Sequence, residues 1–523
     1  MAKTTAANRY RNLQLFRSMY LRRGIDGSKL TIPSLIPESD QNTNTEGEQF
    51  NKLPTCHQGV GSRGVSSLAA KLLLALYPPS GDPFFRLMID GAALRQQAEE
   101  SQMEEGEIVS QVEVALANIE REVVAKLDEL QARAALFEAM KHLIVSGNAL
   151  LYVEADAIRM YSLRSYVCQR DPEGHVSEIV VREQVTADHL PPGHAQVKDT
   201  DPNVAHDLYT HVRIDYDEDR VEWYQEFDGE KIGSTAGFTT VERSPWICLR
   251  WSKISGESYG RGLVEELLPD LQAMDSLTQA LTEGSLIAAK CLFLVNPNGV
   301  TRADVLANSG NGAIVGGNAA DVEALQVGKQ GDFGTALQAM QVIEKRLAYS
   351  FLLNESVRRD AERVSAEEIR VMASQLEEGL GGTYSQLSQE LQLPLVKRVI
   401  SLMEVAGALP ALPKGLIKPQ ITTGLEAIGR NNEKARLTNF LQIIGATLGP
   451  EALLNYINPT ELIKRYAAAD SIEIAGLVKT EQELQAEQSQ QEELALQQQL
   501  AANAIQSGAT NPPAAEVPTE AGA

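Results

Sequence analysis

The chain has 523 residues, 47 Lys and Arg against 70 Asp and Glu, and a formal net charge of −23. That length exceeds one ordinary domain. That charge argues against a protein that wraps nucleic acid by counterion release, although not against a surface past which DNA slides.

Four scattered cysteines (Cys56, Cys168, Cys248, Cys291) contain no CxxC pair and read as ordinary reduced thiols. The densest apolar run, residues 68–77, holds Lys71 and is too short to span a bilayer. The start is basic and polar, without the apolar core of a signal peptide, so a soluble protein with no membrane partner is expected.

In chain order, the first 30 residues hold seven basic side chains (Lys3, Arg9, Arg11, Arg17, Arg22, Arg23, Lys29), with Asp26 as the acid. Leu13, Phe16, Met19 and Tyr20 are expected to line one side of a basic amphipathic helix. A polar loop over 31–54 leads to Gly59-Val-Gly-Ser-Arg-Gly64 and an apolar helix over 65–77, stopped by Pro78 and Pro79. Residues 99–147 are helical by pattern, with Val112, Leu116, Ile119, Val123 and Leu127 in one stripe and Leu136, Met140 and Leu143 in another.

From 149 to 251 the period changes to two. Strands are predicted at 150–153, 179–182, 208–216, 221–227 and 247–251, an antiparallel β region inserted in a helical chain. Helix returns over 262–290, kinked at Pro269. A compact segment follows: a strand at 291–295, the turn Asn296-Pro-Asn-Gly299, a Gly-rich piece at 310–317 and a strand at 322–327. A second long helix then starts with Asp332 as N-cap and carries Phe333, Leu337, Met340, Ile343, Leu347 and Phe351 as an apolar stripe. Two long helices about a small αβ knob make an antiparallel stalk with a tip.

After a charged break at 354–364, bearing Arg358, Arg359 and Arg363 against Glu355, Asp360 and Glu362, Ser365 and Glu368 have capping-box spacing. That helix is expected to stop at Gly379, Gly381 and Gly382. Thr383 with Gln386 is a second box, opening a helix kinked at Pro394. From Arg430 helix is predicted to about Ala469. Beyond Lys479 a Gln-rich tail holds seven Glu and no Lys or Arg. The fold class expected is α+β, mainly α.

Three motifs test enzymatic and metal readings. Gly59–Gly64 fits G-x-G-x-x-G, but the polar residues before it supply no strand. Gly256-Glu-Ser258-Tyr-Gly260 fits the G-x-S-x-G nucleophile elbow between strand and helix. All seven histidines precede it, so the Ser…Asp…His order of that hydrolase fold is absent. Asp215, Asp217, Asp219 and Glu226 have calcium-loop spacing, but Arg220 stands where that loop needs Gly. A hairpin tip is the simpler reading. Neither metal, cofactor nor catalytic residue is expected. The alternatives to a structural ring protein are a serine hydrolase centred on Ser258 and an acidic scaffolding or coiled-coil protein.

Taken together, the unusual stretches resemble one family. They are GVGSRGVSSLAAKL at 59–72, SGNALLY at 146–152, YSLRSYV at 161–167, GESYGR at 256–261, VNP at 295–297, ERVSAEEIR at 362–370, LGGTY at 380–384, SQELQLPLV at 388–396 and TGLEAIG at 423–429. The resemblance is to the head–tail connector (portal) proteins of short-tailed bacteriophages, and it covers residues 10–430.

It implies a portal fold assembled as a homododecameric ring at one capsid vertex, made in the host cytoplasm and built into the virion. The wing would be 1–258, the stem 259–290 and 332–353, the clip 291–331 and the tunnel loop 354–364. Wing return helices would be 365–429, the crown 430–479 and a Gln-rich tail 480–523. The resemblance further implies that double-stranded DNA passes Asn354, Arg358, Arg359 and Arg363, and that the clip docks the terminase large subunit and then the tail adaptor or tail tube protein. Asn296, Asn298, Arg302, Asn308 and Asn311 are the clip residues expected to do so. Major capsid, scaffold and internal core proteins are the remaining expected partners.

Overall fold

The computed structural model describes residues 5–38, 53–78, 83–89, 105–192, 204–289, 292–310, 312–325, 330–353, 376, 379–409, 417–421, 429–448 and 462–463. The chain divides into two compact units, Met1–Ala427 and Ile428–Ala523.

Helix α1 (Ala6–Lys29) starts where the Thr5 side chain accepts the Asn8 N–H. Its buried face is Ala6, Tyr10, Leu13, Arg17 and Gly24, which corrects the predicted stripe: Phe16 and Met19 are exposed at 73% and 50%. Arg17 takes the core position because its guanidinium binds the carbonyls of Leu163 (3.1 Å), Arg164 (2.7 Å) and Tyr166 (2.9 Å). A buried cation surrounded by carbonyl acceptors is stable where a bare one would not be.

Helix α2 (Val60–Leu76) is followed by strand β1 (Phe85–Ile89), helix α3 (Glu105–Glu129) and helix α4 (Ala132–Ser146). The region read as helical over 99–147 is two helices, one for each predicted stripe, parted at Gln131, whose φ is +50°. In α4, Leu136, Ala139, Met140, Leu143, Ile144 and Val145 are all buried, so this helix is enclosed rather than amphipathic. With α2, the inner side of α3 and later helices it forms the main core. Each fully buried Leu, Ile or Met contributes about 1.5–3 kcal/mol.

Eight antiparallel strands follow: β2 (Asn148–Val153), β3 (Ile158–Tyr161), β4 (Tyr166–Arg170), β5 (Val176–Thr186), β6 (Ala205–Asp215), β7 (Arg220–Phe227), β8 (Glu230–Thr239) and β9 (Trp246–Arg250). They make a three-stranded sheet β3-β2-β9 and a five-stranded sheet β4-β5-β6-β7-β8. The inserted antiparallel region is present. Strands β3, β4 and β8 were missed because they are short or broken by glycine. A second core lies around Leu150, Tyr166, Ile179, Val212, Val221, Trp246 and Tyr259.

Helix α5 (Leu263–Ala289) runs unbroken through Pro269. The knob comprises β10 (Leu292–Val295), the short helix α6 (Ala303–Ala307) and β11 (Val322–Leu325), with β10 and β11 paired antiparallel. Helix α7 (Gln330–Ser350) then returns. It begins two residues before Asp332, which is therefore helical and not the N-cap.

Helix α8 (Gly382–Leu387) is preceded by Gly381, at φ +46°, so Thr383 lies inside the helix and not at its cap. A π-helical turn, Ser388–Gln392, leads into α9 (Leu393–Val405). The predicted kink at Pro394 is this wider turn: proline has no N–H for the preceding carbonyls. Strand β12 (Ile417–Ile421) pairs with β1. In the second unit, α10 (Gly429–Leu448) is the described part of the helix predicted from Arg430. The capping box at Ser365 and Glu368 and the tail beyond 480 lie outside the described residues.

Candidate functional site: the helical hairpin and its two ends

Helices α5 and α7 pair antiparallel. Arg346 bonds Asp270 at 2.7 Å near the root, Thr278 Oγ1 lies 3.6 Å from Met340 Sδ, and Phe333 packs over Gly284 near the knob. Burial declines along the hairpin. At the root Leu271, Met274, Leu347 and Phe351 are buried; further out Leu286, Ile287 and Leu337 are 44–61% exposed. The apolar stripe read from α7 is real: Leu347 and Phe351 are buried at the root and Phe333 packs on Gly284 near the knob, while Leu337 between them stays exposed.

The tip is held by Asp321. One carboxylate oxygen accepts the N–H groups of Val300 (2.8 Å) and Thr301 (3.1 Å), and its main-chain carbonyl accepts the Asn296 N–H (2.9 Å). Of the predicted docking residues, Asn296 and Asn298 share the turn: the Asn296 side-chain oxygen accepts the Asn298 N–H at 3.1 Å. Asn308 donates to the Asp304 carbonyl (2.8 Å), and exposed Arg302 pairs with Asp304 (2.8 Å). Asn311 lies outside the described residues. Polar composition selected residues that largely shape their own loop. Exposed Val300 and Ile314, apolar side chains amid glycine and asparagine, went unnoticed although that contrast was readable.

At the other end α7 finishes in a Schellman-type closure. The Leu353 N–H reaches the Ala348 carbonyl (2.7 Å), the Leu352 N–H reaches Tyr349 (3.0 Å), and Leu352 sits at φ +52°. The Lys71 ammonium donates to the Leu352 carbonyl, and Phe351 packs against Gly64. Asn354, Arg358, Arg359 and Arg363 follow directly and lie outside the described residues.

The rival motifs have structural explanations. A Cβ at Gly64 would stand 2.6 Å from the Phe351 ring and one at Gly61 2.6 Å from the Leu30 carbonyl, so these two glycines serve close packing, while Gly59 has open space about it. Gly260 crosses the 144–149 segment, where Asn148 binds both its N–H and its carbonyl at 2.8 Å. Ser258 Oγ accepts the Arg170 N–H (3.4 Å), and its carbonyl accepts the Arg170 side chain (3.1 Å), so it acts as a strand tie. Asp215 caps its own hairpin turn through the N–H groups of Asp217 and Glu218. Buried Glu226 lies elsewhere, accepting the N–H groups of Ala6 (2.8 Å) and Ala7 (3.2 Å) at the α1 N-terminus. Among the described residues no helix is long and apolar enough to cross a membrane.

Residues 3–477 match the family described as "Bacteriophage head to tail connecting protein". The chain is 36% identical to the portal protein of Escherichia phage T7 over 504 residues, 94% of this chain and 91% of that one. It is 38% identical to the portal protein of Enterobacteria phage T3 over 490 residues (91% and 88%), and 33% to that of Pseudomonas phage phiKMV over 527 residues (97% and 98%). The chain belongs to the bacteriophage head-to-tail connecting proteins. It is a structural component of the phage particle with a portal role, and not an enzyme.

Proposed function

We propose that copies of this chain close into a homododecameric ring at one capsid vertex, through which double-stranded DNA enters and later leaves. The observation that carries this is the outer half of the α5–α7 hairpin. Leu286, Ile287 and Leu337 are exposed in one chain, and copies standing side by side would cover them.

In this reading 1–258 and 365–429 are the wing, 259–290 and 332–353 the stem, 291–331 the clip, 354–364 the loop facing the bore, 430–479 the crown and 480–523 the tail. The formal charge of −23 per copy repels phosphate overall. Arg358, Arg359 and Arg363, set among nearby acids, offer weak contacts that exchange as DNA slides. The clip meets the terminase large subunit during packaging and the tail adaptor afterwards, while the wing and crown meet capsid, scaffold and core proteins.

Negative-stain imaging of the purified full chain is expected to give rings with a central hole, and a monodisperse monomer under assembly conditions would count heavily against the proposal. Neutralising Arg358, Arg359 and Arg363 together is expected to lower packaged DNA while rings still form. Unchanged packaging would reject the loop's role.

A further inference from the structure

The outer side of α1 is apolar at its centre and basic at both ends. Leu15 and Met19, 75% and 50% exposed, lie opposite the buried Tyr10 and Arg17, and exposed Phe16 flanks them. Arg11 and Arg22 stand on the same side, both exposed and, among the described residues, without a carboxylate partner. Arg23 and Lys29, by contrast, pair with Glu265 (2.9 Å) and Asp26 (3.9 Å). From Arg11 to Arg22 the helix rises about 16 Å. A recess lined by Ser18, Met19, Arg22, Arg23 and Asp26 opens beside it. Large apolar side chains exposed together, with unpaired cations at their rim, suit a partner that is apolar at its centre and acidic around it.

The chain itself carries such a piece. The β6–β7 hairpin turns through Asp215-Tyr-Asp-Glu-Asp219, every residue of it exposed, with Tyr216 at 46%. Two of its acids serve the fold. Asp215 accepts the N–H groups of Asp217 and Glu218, and Asp219 accepts that of Val241. The carboxylates of Asp217 and Glu218 have no ion-pair partner among the described residues, and Arg220, next along the strand, is taken by Glu222 at 2.7 Å. The two strands of a hairpin lie about 5 Å apart, so the tip fits between Arg11 and Arg22. One aromatic ring with acids on either side matches the recess and its two arginines, and Tyr and Arg are the side chains that anchor interfaces.

We propose that this face of α1 is an interface between neighbouring copies, each seating the next copy's acidic hairpin tip, residues 215–219. The proposal rests on the ring proposed above. The two patches are different surfaces of one chain, the head-to-tail relation by which copies close into a ring. Tyr216 enters beside Met19 and Arg22, and Asp217 and Glu218 meet the free guanidinium groups. Double-stranded DNA fits this face less well: its phosphates would pair with the arginines and leave Leu15, Phe16 and Met19 uncovered.

The test reverses the charge on each side in the full chain. Arg11→Glu with Arg22→Glu, or Asp217→Lys with Glu218→Lys, should each raise the concentration for half-assembly into rings roughly tenfold at low salt, read by mass photometry. An equimolar mixture of the two variants should regain rings, because each reversed face then meets a reversed tip. The chain carrying all four substitutions should regain them as well. If the unaltered chain forms no rings, the ring itself fails and takes this contact with it. If it forms them and both variants assemble equally well, or the mixture does not recover, the contact alone is overturned. Variants that form normal rings but retain less DNA would give the face to DNA and overturn it too.

Discussion

The Lys71 ammonium on α2 donates to the carbonyl of Leu352, the left-handed residue that closes α7. A non-glycine residue in that region costs about 1 kcal/mol or more and persists only when its surroundings hold it. Lys71 is 8% exposed, and burial lowers its pKa. It stands at a helix C-terminus, where the last carbonyls carry partial negative charge and favour a cation. Lys71→Met would take this donor from the part-buried Leu352 carbonyl, a loss of about 1–3 kcal/mol. Urea denaturation should show a lower midpoint at unchanged slope. An unchanged midpoint would mean that the contact contributes nothing.

Two turns earlier on α2, Gly64 faces Phe351, and the close approach of α2 to the foot of α7 depends on it. Gly64→Ala would push a methyl group into the ring. Overpacking of about 1–3 kcal/mol outweighs a helix-propensity gain of about 1 kcal/mol, so net destabilisation is expected. Gly334, inside α7 with nothing within 4 Å of its Cβ position, should behave oppositely. There Gly334→Ala is expected to stabilise by roughly 0.5–1 kcal/mol. Thermal midpoints of the two variants, moving in opposite directions, are the check.

What could be read from the sequence was whatever periodicity alone determines. The α5–α7 hairpin, the knob between them and the strand-rich region follow from which residues are apolar and how often they recur. Arg17 was misread because a lone cation looks like a solvent-facing residue until the carbonyls it binds are known, and those lie on distant β4 and the loop before it. The β1–β12 pair joins residues such as Phe85 and Ile421, a partnership no local window contains. At the tip, composition pointed to asparagines whose side chains are partly used within the loop. The exposed Val300 and Ile314 beside them were passed over.

Glu178 on β5 offers a pH test. Burial pushes its carboxyl up, but hydrogen bonds from His211 and Arg9, both at 2.7 Å, outweigh that and hold it at about 2, against an ordinary 4.5. His211 also bonds Tyr224 OH (2.8 Å), and Arg9 also bonds Gln169, so the pair fastens the α1 N-terminal turn to the sheet. Because the folded pKa is depressed, this contribution is fully present above about 4.5 and is lost as pH falls toward about 2. Glu178→Gln should lower the thermal midpoint near neutrality and flatten its fall across that window. An acid branch as steep as that of the unaltered chain would show that other carboxylates govern it.

A largely enclosed ion pair joins β9 to the π-helical turn. The Arg250 side chain is 4% exposed and that of Glu390 19%. Glu390 Oε1 accepts both the Arg250 Nε (3.2 Å) and an outer guanidinium nitrogen (2.5 Å), and its other oxygen accepts the Arg250 main-chain N–H (3.1 Å). Removing one partner strands the other. Arg250→Met leaves a carboxylate in a poorly solvated site and should cost about 3–5 kcal/mol, well beyond the value of the pair itself. In the double variant Arg250→Met with Glu390→Gln, the glutamine oxygen still meets the main-chain N–H and neither charge of the pair remains. Its destabilisation should therefore be smaller than that of Arg250→Met alone. Chemical denaturation of the two single variants and the double closes the cycle. If the single losses simply add, the π turn is held to β9 by packing around Leu391 and Leu395 and not by this pair.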